Sequence, residues 1–115
     1  MDSTNYIAYA NRGATYNEIK EYDKAITDCS ESLRIKENYT YAYITRGLAY
    51  EKKNDYKMAI LDYTKVIEID PNYTYAYYNR SCVYRNKGEF DNAITDCDYY
   101  ARDLRDYVKS TCYTQ

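Results

Sequence analysis

Three arginine–aspartate pairs are the residues of this chain whose types and spacing most clearly indicate chemistry. In each pair the aspartate follows the arginine by sixteen residues. A guanidinium and a carboxylate can form two parallel hydrogen bonds, so the spacing predicts a ladder of ion pairs between packed helices. A row of arginines that faces a ligand is the alternative. The pairs are Arg12 with Asp28, Arg46 with Asp62, and Arg80 with Asp96.

No other set of residues in the sequence indicates catalysis or metal binding. The sequence has no histidine, no glycine-rich phosphate loop and no nucleophile beside a recognisable base. Its four cysteines include no Cys-x-x-Cys pair, which makes a structural zinc site unlikely on sequence grounds. We therefore predict a protein that is not an enzyme and that needs no cofactor.

The arginine–aspartate pairs belong to a longer pattern that occurs three times at a spacing of 34 residues. Self-similarity at such a period indicates a repeat protein, in which each unit buries its apolar face only against its neighbours. The first copy consists of Tyr9, Arg12, Gly13, Tyr16, Tyr22, Ala25, Ile26 and Asp28. The later copies keep the pattern, and in the third copy Ser81 replaces the glycine and Phe90 replaces the tyrosine equivalent to Tyr22.

Six helices would position these residues, two in each copy, and we name the two helix A and helix B. The apolar periodicity predicts A helices near 6–18, 40–52 and 74–86. It predicts B helices near 22–36, 56–69 and 90–106.

Three glycines have expected roles in this arrangement. Gly13 and Gly47 fall within A helices, where glycine costs ~1 kcal/mol relative to alanine. We therefore expect helix B to approach closely there, through the small residues Ala25 and Ala59. Gly88 is expected to end a helix in the left-handed conformation.

The pattern resembles the tetratricopeptide repeat, a family of helix-turn-helix units. The large aromatic residue of the family corresponds to Tyr9, its small residue to Gly13, its helix A tyrosine to Tyr16 and its helix B alanine to Ala25. The resemblance departs where this chain has arginine before the small residue. It implies an all-α fold, a right-handed α-solenoid of three helical hairpins with an extended last helix or a short C-terminal segment.

By this resemblance the chain is one domain. The repeats are expected at 6–39, 40–73 and 74–107, between an N-terminal tail over 1–5 and a C-terminal extension over 108–115. The extension is too short to form a stable helix alone, so the last B helix could continue into it. A truncated array, or an end that pairs with another copy, is the other interpretation.

Two smaller signals favour structural roles. Cys29 and Cys97 occupy the same helix B position and are expected to be buried thiols. Two Asn-Tyr-Thr triplets, 38–40 and 72–74, match the glycosylation pattern, but their position between repeats favours turns whose threonines cap the next helix. With no secretory signal in the sequence, reduced thiols and a cytoplasmic location are expected.

The bulk composition argues against two classes of partner. Sixteen Lys and Arg residues are interspersed with eighteen Asp and Glu residues, which does not indicate a surface for nucleic acid. No apolar run approaches the ~20 residues of a membrane span. The remaining class is protein or peptide, or a second copy of this chain.

The resemblance implies that function lies on the concave face of the solenoid, which is lined mostly by A helices. Some relatives hold the carboxylate end of a chaperone tail there with Lys, Asn and Arg. The corresponding positions here carry no cation and one amide, so this clamp is expected to be absent. They are Ala10, Ala14, Thr45, Tyr75 and Asn79.

The concave face is predicted to be a groove that binds a peptide through tyrosine and aliphatic side chains. Asn11, Thr45 and Asn79 would bond the ligand backbone, and the apolar members would anchor its side chains. This indicates a non-enzymatic protein–protein interaction module. The alternatives are tyrosines that only fill the solenoid interior, a self-assembling scaffold, or an excised or engineered array without a ligand. The apolar candidates are Ile7, Tyr41, Ile44, Leu48, Tyr75 and Tyr78.

Overall fold

The computed structural model describes the backbone of residues 4–113 and the side chains of residues 4–105, and all regular structure in that part is helical. The six helices are α1 Tyr6–Glu18, α2 Tyr22–Ile35, α3 Thr40–Lys52, α4 Tyr56–Ile69, α5 Tyr75–Lys87 and α6 Phe90–Tyr113. The prediction of an all-α fold is confirmed. Helix α6 continues past residue 106, the predicted end of the last B helix. Residues 1–3 of the predicted tail and the side chains of 106–115, which include Cys112 and the predicted C-terminal extension over 108–115, lie outside the described residues.

The helices pack in the order of a solenoid. Each A helix contacts the B helix that follows it, in the pairs α1 with α2, α3 with α4, and α5 with α6. Each B helix then contacts the next A helix, α2 with α3 and α4 with α5. The Cα radius of gyration is 15.5 Å, against ~13 Å for a compact domain of about 100 residues. The shape is therefore extended, as stacked repeats require.

The turns between A and B helices share one backbone conformation. Lys20, Asn54 and Gly88 each follow an A helix at equivalent positions, with φ of 65°, 64° and 90°. The left-handed conformation predicted at Gly88 is confirmed, and it recurs where the residue is not glycine.

The prediction that threonines cap α3 and α5 is wrong. The N-cap residue of α3 is Tyr39, and Thr40 is the first residue of that helix. Thr74 is the N-cap residue of α5, but neither helix start has a side-chain cap hydrogen bond. The side chains that do cap helices belong to Asn5, which accepts from the Ala8 amide at 2.9 Å, and Asp55.

Two mid-helix glycines allow the close approach of helix B. A Cβ at Gly13 would lie 2.8 Å from Cys29 Sγ and 3.2 Å from the carbonyl oxygen of Ala25. At Gly47 it would lie 2.7 Å from a ring carbon of Tyr63. The predicted contact with alanine is confirmed at Gly13. At Gly47 the missing side chain leaves room for a fully buried tyrosine instead.

The arginine–aspartate pairs join helix A to helix B within each hairpin. Arg46 donates to both carboxylate oxygens of Asp62, from Nε at 2.9 Å and from Nη2 at 2.8 Å. The pairs Arg12–Asp28 and Arg80–Asp96 have the same two-bond geometry. All three aspartates are buried. Burial raises the pKa of Asp62 even though the hydrogen bond to Arg46 acts in the opposite direction.

Two of these arginines also reach back to the preceding hairpin. Arg46 donates from Nη1 to the hydroxyl of Ser30 at 3.1 Å. Arg80 does the same to the hydroxyl of Thr64 at 3.1 Å. The ladder therefore fixes the register between repeats as well as within them.

The two cysteines at the same helix B position have different surroundings. Cys29 is fully buried against Ala10 and Ala42, and burial raises its pKa to about 12. Cys97 is exposed, so the prediction that both are buried is wrong for Cys97. Helix α3 covers the position in the first repeat, whereas no element of the described chain covers it on α6.

Candidate peptide-binding surface

One row of exposed apolar side chains runs across the three A helices. Ile7, Tyr41 and Tyr75 are the second residues of their repeats, 34 residues apart. Their exposed fractions are 48%, 41% and 53%. Large apolar side chains at the same position of α1, α3 and α5 lie on the same side of the stack, because successive repeats are in register.

A second row lies about one helical turn further along the same helices. Tyr78 is exposed there and Ile44 is half-buried, and the exposed Leu48 lies one further turn along α3. Ala10, at the position of Ile44 in the first repeat, is fully buried. The two rows and Leu48 together form what we call the helix A surface. It consists of Ile7, Tyr41, Ile44, Leu48, Tyr75 and Tyr78.

At the third repeat the helix A surface includes a cluster of three tyrosine rings. The ring centroid of Tyr78 lies 5.6 Å from that of Tyr75 and 5.3 Å from that of Tyr100 on α6. Tyr100 was not among the predicted site residues. A comparison of the copies could have found it, because Ser32 and Val66 are the smaller, fully buried residues at its position.

Near the start of α3, between the turns that precede α3 and α5, the surface contains a cavity of about 410 Å³. Its walls include Tyr41 and Ile44 from α3, with Tyr39 and Tyr73 from the turns. The ring of Tyr39 packs edge-on against Tyr6, at 4.9 Å between centroids, and burial raises its pKa. The phenol hydroxyl can donate a hydrogen bond to a ligand.

Two of the three polar residues predicted to bond a ligand face inward. Thr45 is buried, and its hydroxyl donates to the carbonyl oxygen of Tyr41 at 2.8 Å. Its own carbonyl oxygen accepts from Asn17 of the preceding hairpin at 2.9 Å. Asn79, at the equivalent position, is buried as well, whereas Asn11 is exposed. In α3 and α5 this position packs against the preceding repeat. Asn11 is exposed because the described chain has no helix before α1.

Two kinds of feature are absent from the described residues. None of the helices there has the length and apolarity needed to cross a membrane. Nor does that part of the chain contain a group of three or more side chains arranged to hold a metal ion.

The sequence of these hairpins matches models of a known repeat family. A tetratricopeptide repeat model matches residues 6–39 and 40–73, and a second one matches residues 62–95. The chain belongs to the tetratricopeptide repeat family. The segments 6–39 and 40–73 coincide with the first two sequence repeats and with the hairpins α1–α2 and α3–α4, whereas 62–95 extends from α4 through α5 to the start of α6.

Known proteins resemble this tetratricopeptide chain over different lengths. The small glutamine-rich tetratricopeptide repeat-containing protein of Dictyostelium discoideum is 45% identical over 38 residues, which are 33% of this chain and 11% of that protein. A crystal structure of MamA superposes with a TM-score of 0.89 at 28% identity, covering 94% of this chain and 63% of MamA. The chain thus spans less than two thirds of either protein.

A third similar structure contains a ligand. It is the second tetratricopeptide domain of Spaghetti (RPAP3), bound to the HSP90 peptide SRMEEVD. It superposes with a TM-score of 0.81 at 22% identity, covering 87% of this chain and 93% of that domain. At this identity the likeness concerns the fold.

Proposed function

We propose that this chain is a non-enzymatic protein-interaction module that binds an extended or helical peptide segment of a partner on the helix A surface. The observation that supports the proposal is the repeated exposure of Ile7, Tyr41 and Tyr75 at one position of three A helices. Contiguous apolar patches on soluble domains usually mark contact sites. Tyrosine suits such a site because it combines a large apolar ring with a hydroxyl that can bond a peptide backbone.

The chemistry of the surface favours apolar anchors over an acidic tail. The HSP90 peptide bound by the RPAP3 domain contains two glutamates and an aspartate. The positions expected to form a carboxylate clamp carry no lysine or arginine in this chain, and Ala10, Thr45 and Asn79 among them are buried. A ligand of this chain therefore presents aromatic or aliphatic side chains, one to the Tyr75–Tyr78–Tyr100 cluster and one to the cavity beside Tyr41.

Of the three polar candidates, Asn11 is exposed, whereas Thr45 and Asn79 are buried. Thr45 and Asn79 support the packing between repeats instead. We assign the bonds to a ligand backbone to Asn11 and to the tyrosine hydroxyls of the helix A surface.

A peptide selection followed by titration tests this proposal. A displayed random peptide library is selected on the immobilised chain, and the enriched peptides are labelled and titrated by fluorescence anisotropy. We expect peptides enriched in aromatic and aliphatic residues. Their affinity should fall at least tenfold in the double variant Tyr41→Ala and Tyr78→Ala, because both anchor sites lose a ring.

The matched control removes an exposed apolar side chain from a B helix. Leu61 on α4 is 53% exposed and lies outside the helix A surface, so Leu61→Ala should bind the same peptides with unchanged affinity. Circular dichroism verifies that all variants are folded. Unchanged binding by the folded double variant, or no enrichment of apolar peptides, would overturn the proposal.

A further inference from the structure

The end of the stack carries an apolar face that is covered in the two earlier repeats. We call it the α6 end face: Phe90, Ile94, Cys97, Asp98 and Ala101. Phe90 and Ile94 are each 62% exposed, whereas their equivalents on α2 and α4 are half-buried. The face borders a cavity of about 400 Å³ that Arg85 also lines. In the first two repeats the following A helix occupies this place.

The equivalent faces of α2 and α4 are covered through the same contact. The arginine of the next A helix donates from Nη1 to the residue that directly follows Cys29 or Tyr63. Arg46 thus bonds Ser30, and Arg80 bonds Thr64. On α6 the residue at this position is Asp98, which is exposed. The end face therefore has a carboxylate at the position that the arginine of a following A helix contacts in the first two repeats.

Helix α1 has the complementary surface. The side chain of Arg12 is 48% exposed, against 19% for Arg46 and 16% for Arg80. Its Nε and Nη2 bond Asp28, and the described chain has no helix before α1 to offer Nη1 a hydroxyl.

The neighbours of Arg12 on α1 also fit this role. Ala8 and Thr15 stand where Ala42 and Ala49 are fully buried in the second repeat. Small residues at these positions allow a B helix to pack closely.

From these correspondences we infer that the α6 end face binds helix α1 of a second copy of this chain, in the register of the internal repeats. Arg12 of the second copy then donates to Asp98, and its Ala8 and Thr15 pack near Ile94 and Cys97. Arg85 stands at the position of Asn17. Asn17 donates to a backbone carbonyl of the next A helix, and Arg85 can donate in the same way across the contact.

A contact of this kind is head-to-tail. It uses different surfaces on the two copies and leaves one α1 and one α6 end face free, so longer species form as concentration rises. The inference does not rest on the helix A surface, because the peptide anchors Tyr41 and Tyr78 take no part in the contact. Failure of one proposal therefore leaves the other standing.

Two blocked variants test the contact. Ile94→Arg obstructs the α6 end face, and Thr15→Arg obstructs α1. Each is measured with the wild-type chain by light scattering and sedimentation velocity over a concentration series from micromolar to millimolar. We expect the average mass of the wild type to rise with concentration, and each blocked variant to remain a monomer.

An equimolar mixture of the two variants distinguishes the modes of association. One copy keeps an intact α1 and the other an intact α6 end face, so the mixture should form 1:1 dimers and nothing larger. In a two-fold dimer through α6, Thr15→Arg alone would still dimerise and the mixture would gain nothing. That result would overturn the head-to-tail arrangement.

The charge pairing has its own test. Asp98→Arg places like charges together and should weaken association at least tenfold, whereas Asp98→Asn keeps an acceptor and should weaken it less. The control Thr95→Arg adds the same charge to an exposed neighbouring position whose hydroxyl bonds only the Asp91 carbonyl, and it should have no effect. Circular dichroism establishes that each variant is folded. A wild-type chain that is monomeric at all concentrations, or equal effects of Asp98→Arg and Thr95→Arg, would overturn the inference.

Discussion

The outer faces of α4 and α6 follow the same sequence pattern, yet one is core and the other is surface. On α4, Tyr63 is fully buried and Ile60 is half-buried against α5. On α6, Cys97 is exposed and Ile94 is 62% exposed. The pattern within a repeat therefore specifies which side chains are able to pack, whereas their burial depends on the presence of the next repeat.

Replacing an aromatic residue by alanine should give the largest difference in stability between the outer faces of α4 and α6. Tyr63→Ala should reduce the free energy of unfolding by about 3–5 kcal/mol, because it leaves a cavity beneath Gly47 and α5. Phe90→Ala should change it by less than about 0.5 kcal/mol, because that ring already contacts water. Urea denaturation at a protein concentration where the chain is monomeric measures both.

A conservative variant separates the ring of Tyr63 from its hydroxyl. The hydroxyl donates to a carboxylate oxygen of Glu51 at 2.9 Å. Tyr63→Phe should therefore cost only about 1 kcal/mol. Similar losses for Tyr63→Ala and Phe90→Ala would contradict the contrast between a covered and an uncovered face.

The ion pairs show the same contrast between covered and uncovered faces, with a smaller expected change in stability. Arg46→Leu removes the partner of a buried carboxylate and should cost about 3 kcal/mol at pH 7. Arg12→Leu should cost less, because Arg12 belongs to the uncovered side of α1. Unchanged or higher stability of Arg46→Leu would contradict a stabilising role of the ladder.

The pH dependence of Arg46→Leu follows from Asp62. Burial already raises the pKa of this carboxyl, and loss of the guanidinium raises it further. The folded variant then holds a proton that the unfolded chain has released, so its stability relative to wild type falls as pH rises from about 4 towards 7. Urea midpoints at pH 4.5 and pH 7 test the sign, and a constant difference would contradict it.

The fold was largely predictable from sequence, because the information that specifies a repeat is local and occurs three times. The spacing of Arg46 and Asp62 predicted a contact that the structure contains, since one helical hairpin determines it. The burial of Thr45 and the exposure of Cys97 were not predicted. Both depend on which faces the neighbouring hairpins cover, and the sequence of a single repeat does not record this.

The candidate site was harder to predict than the fold. The exposed row Ile7–Tyr41–Tyr75 follows from the register of the A helices. Tyr100 comes from a B helix whose equivalents are small and buried, so a pattern based on A helices could not reveal it. The helix A surface thus follows from repeat register, whereas its aromatic cluster depends on one departure from the repeat.

A glycine substitution gives a smaller effect that sharpens the comparison. Gly47→Ala should destabilise the chain because its Cβ would lie 2.7 Å from the buried ring of Tyr63. Overpacking of this kind costs ~1–3 kcal/mol, which outweighs the ~1 kcal/mol that alanine gains in helix propensity. In a Tyr63→Ala background, where the ring is absent, Gly47→Ala should cost less. Equal costs in the two backgrounds, measured by thermal melting, would contradict the steric explanation.

The central claim is that the α6 end face binds helix α1 of a second copy as an internal repeat would. Thiol labelling at several protein concentrations tests this claim most directly. Brief iodoacetamide pulses at pH 8, quantified at each cysteine by mass spectrometry, compare Cys97 with Cys29. Cys29 should stay unlabelled throughout, because it is buried and its pKa is raised to about 12. Labelling of Cys97 should be rapid in dilute protein and should slow as concentration rises and α1 of a second copy covers it. A Cys97 labelling rate that is independent of concentration would contradict the account.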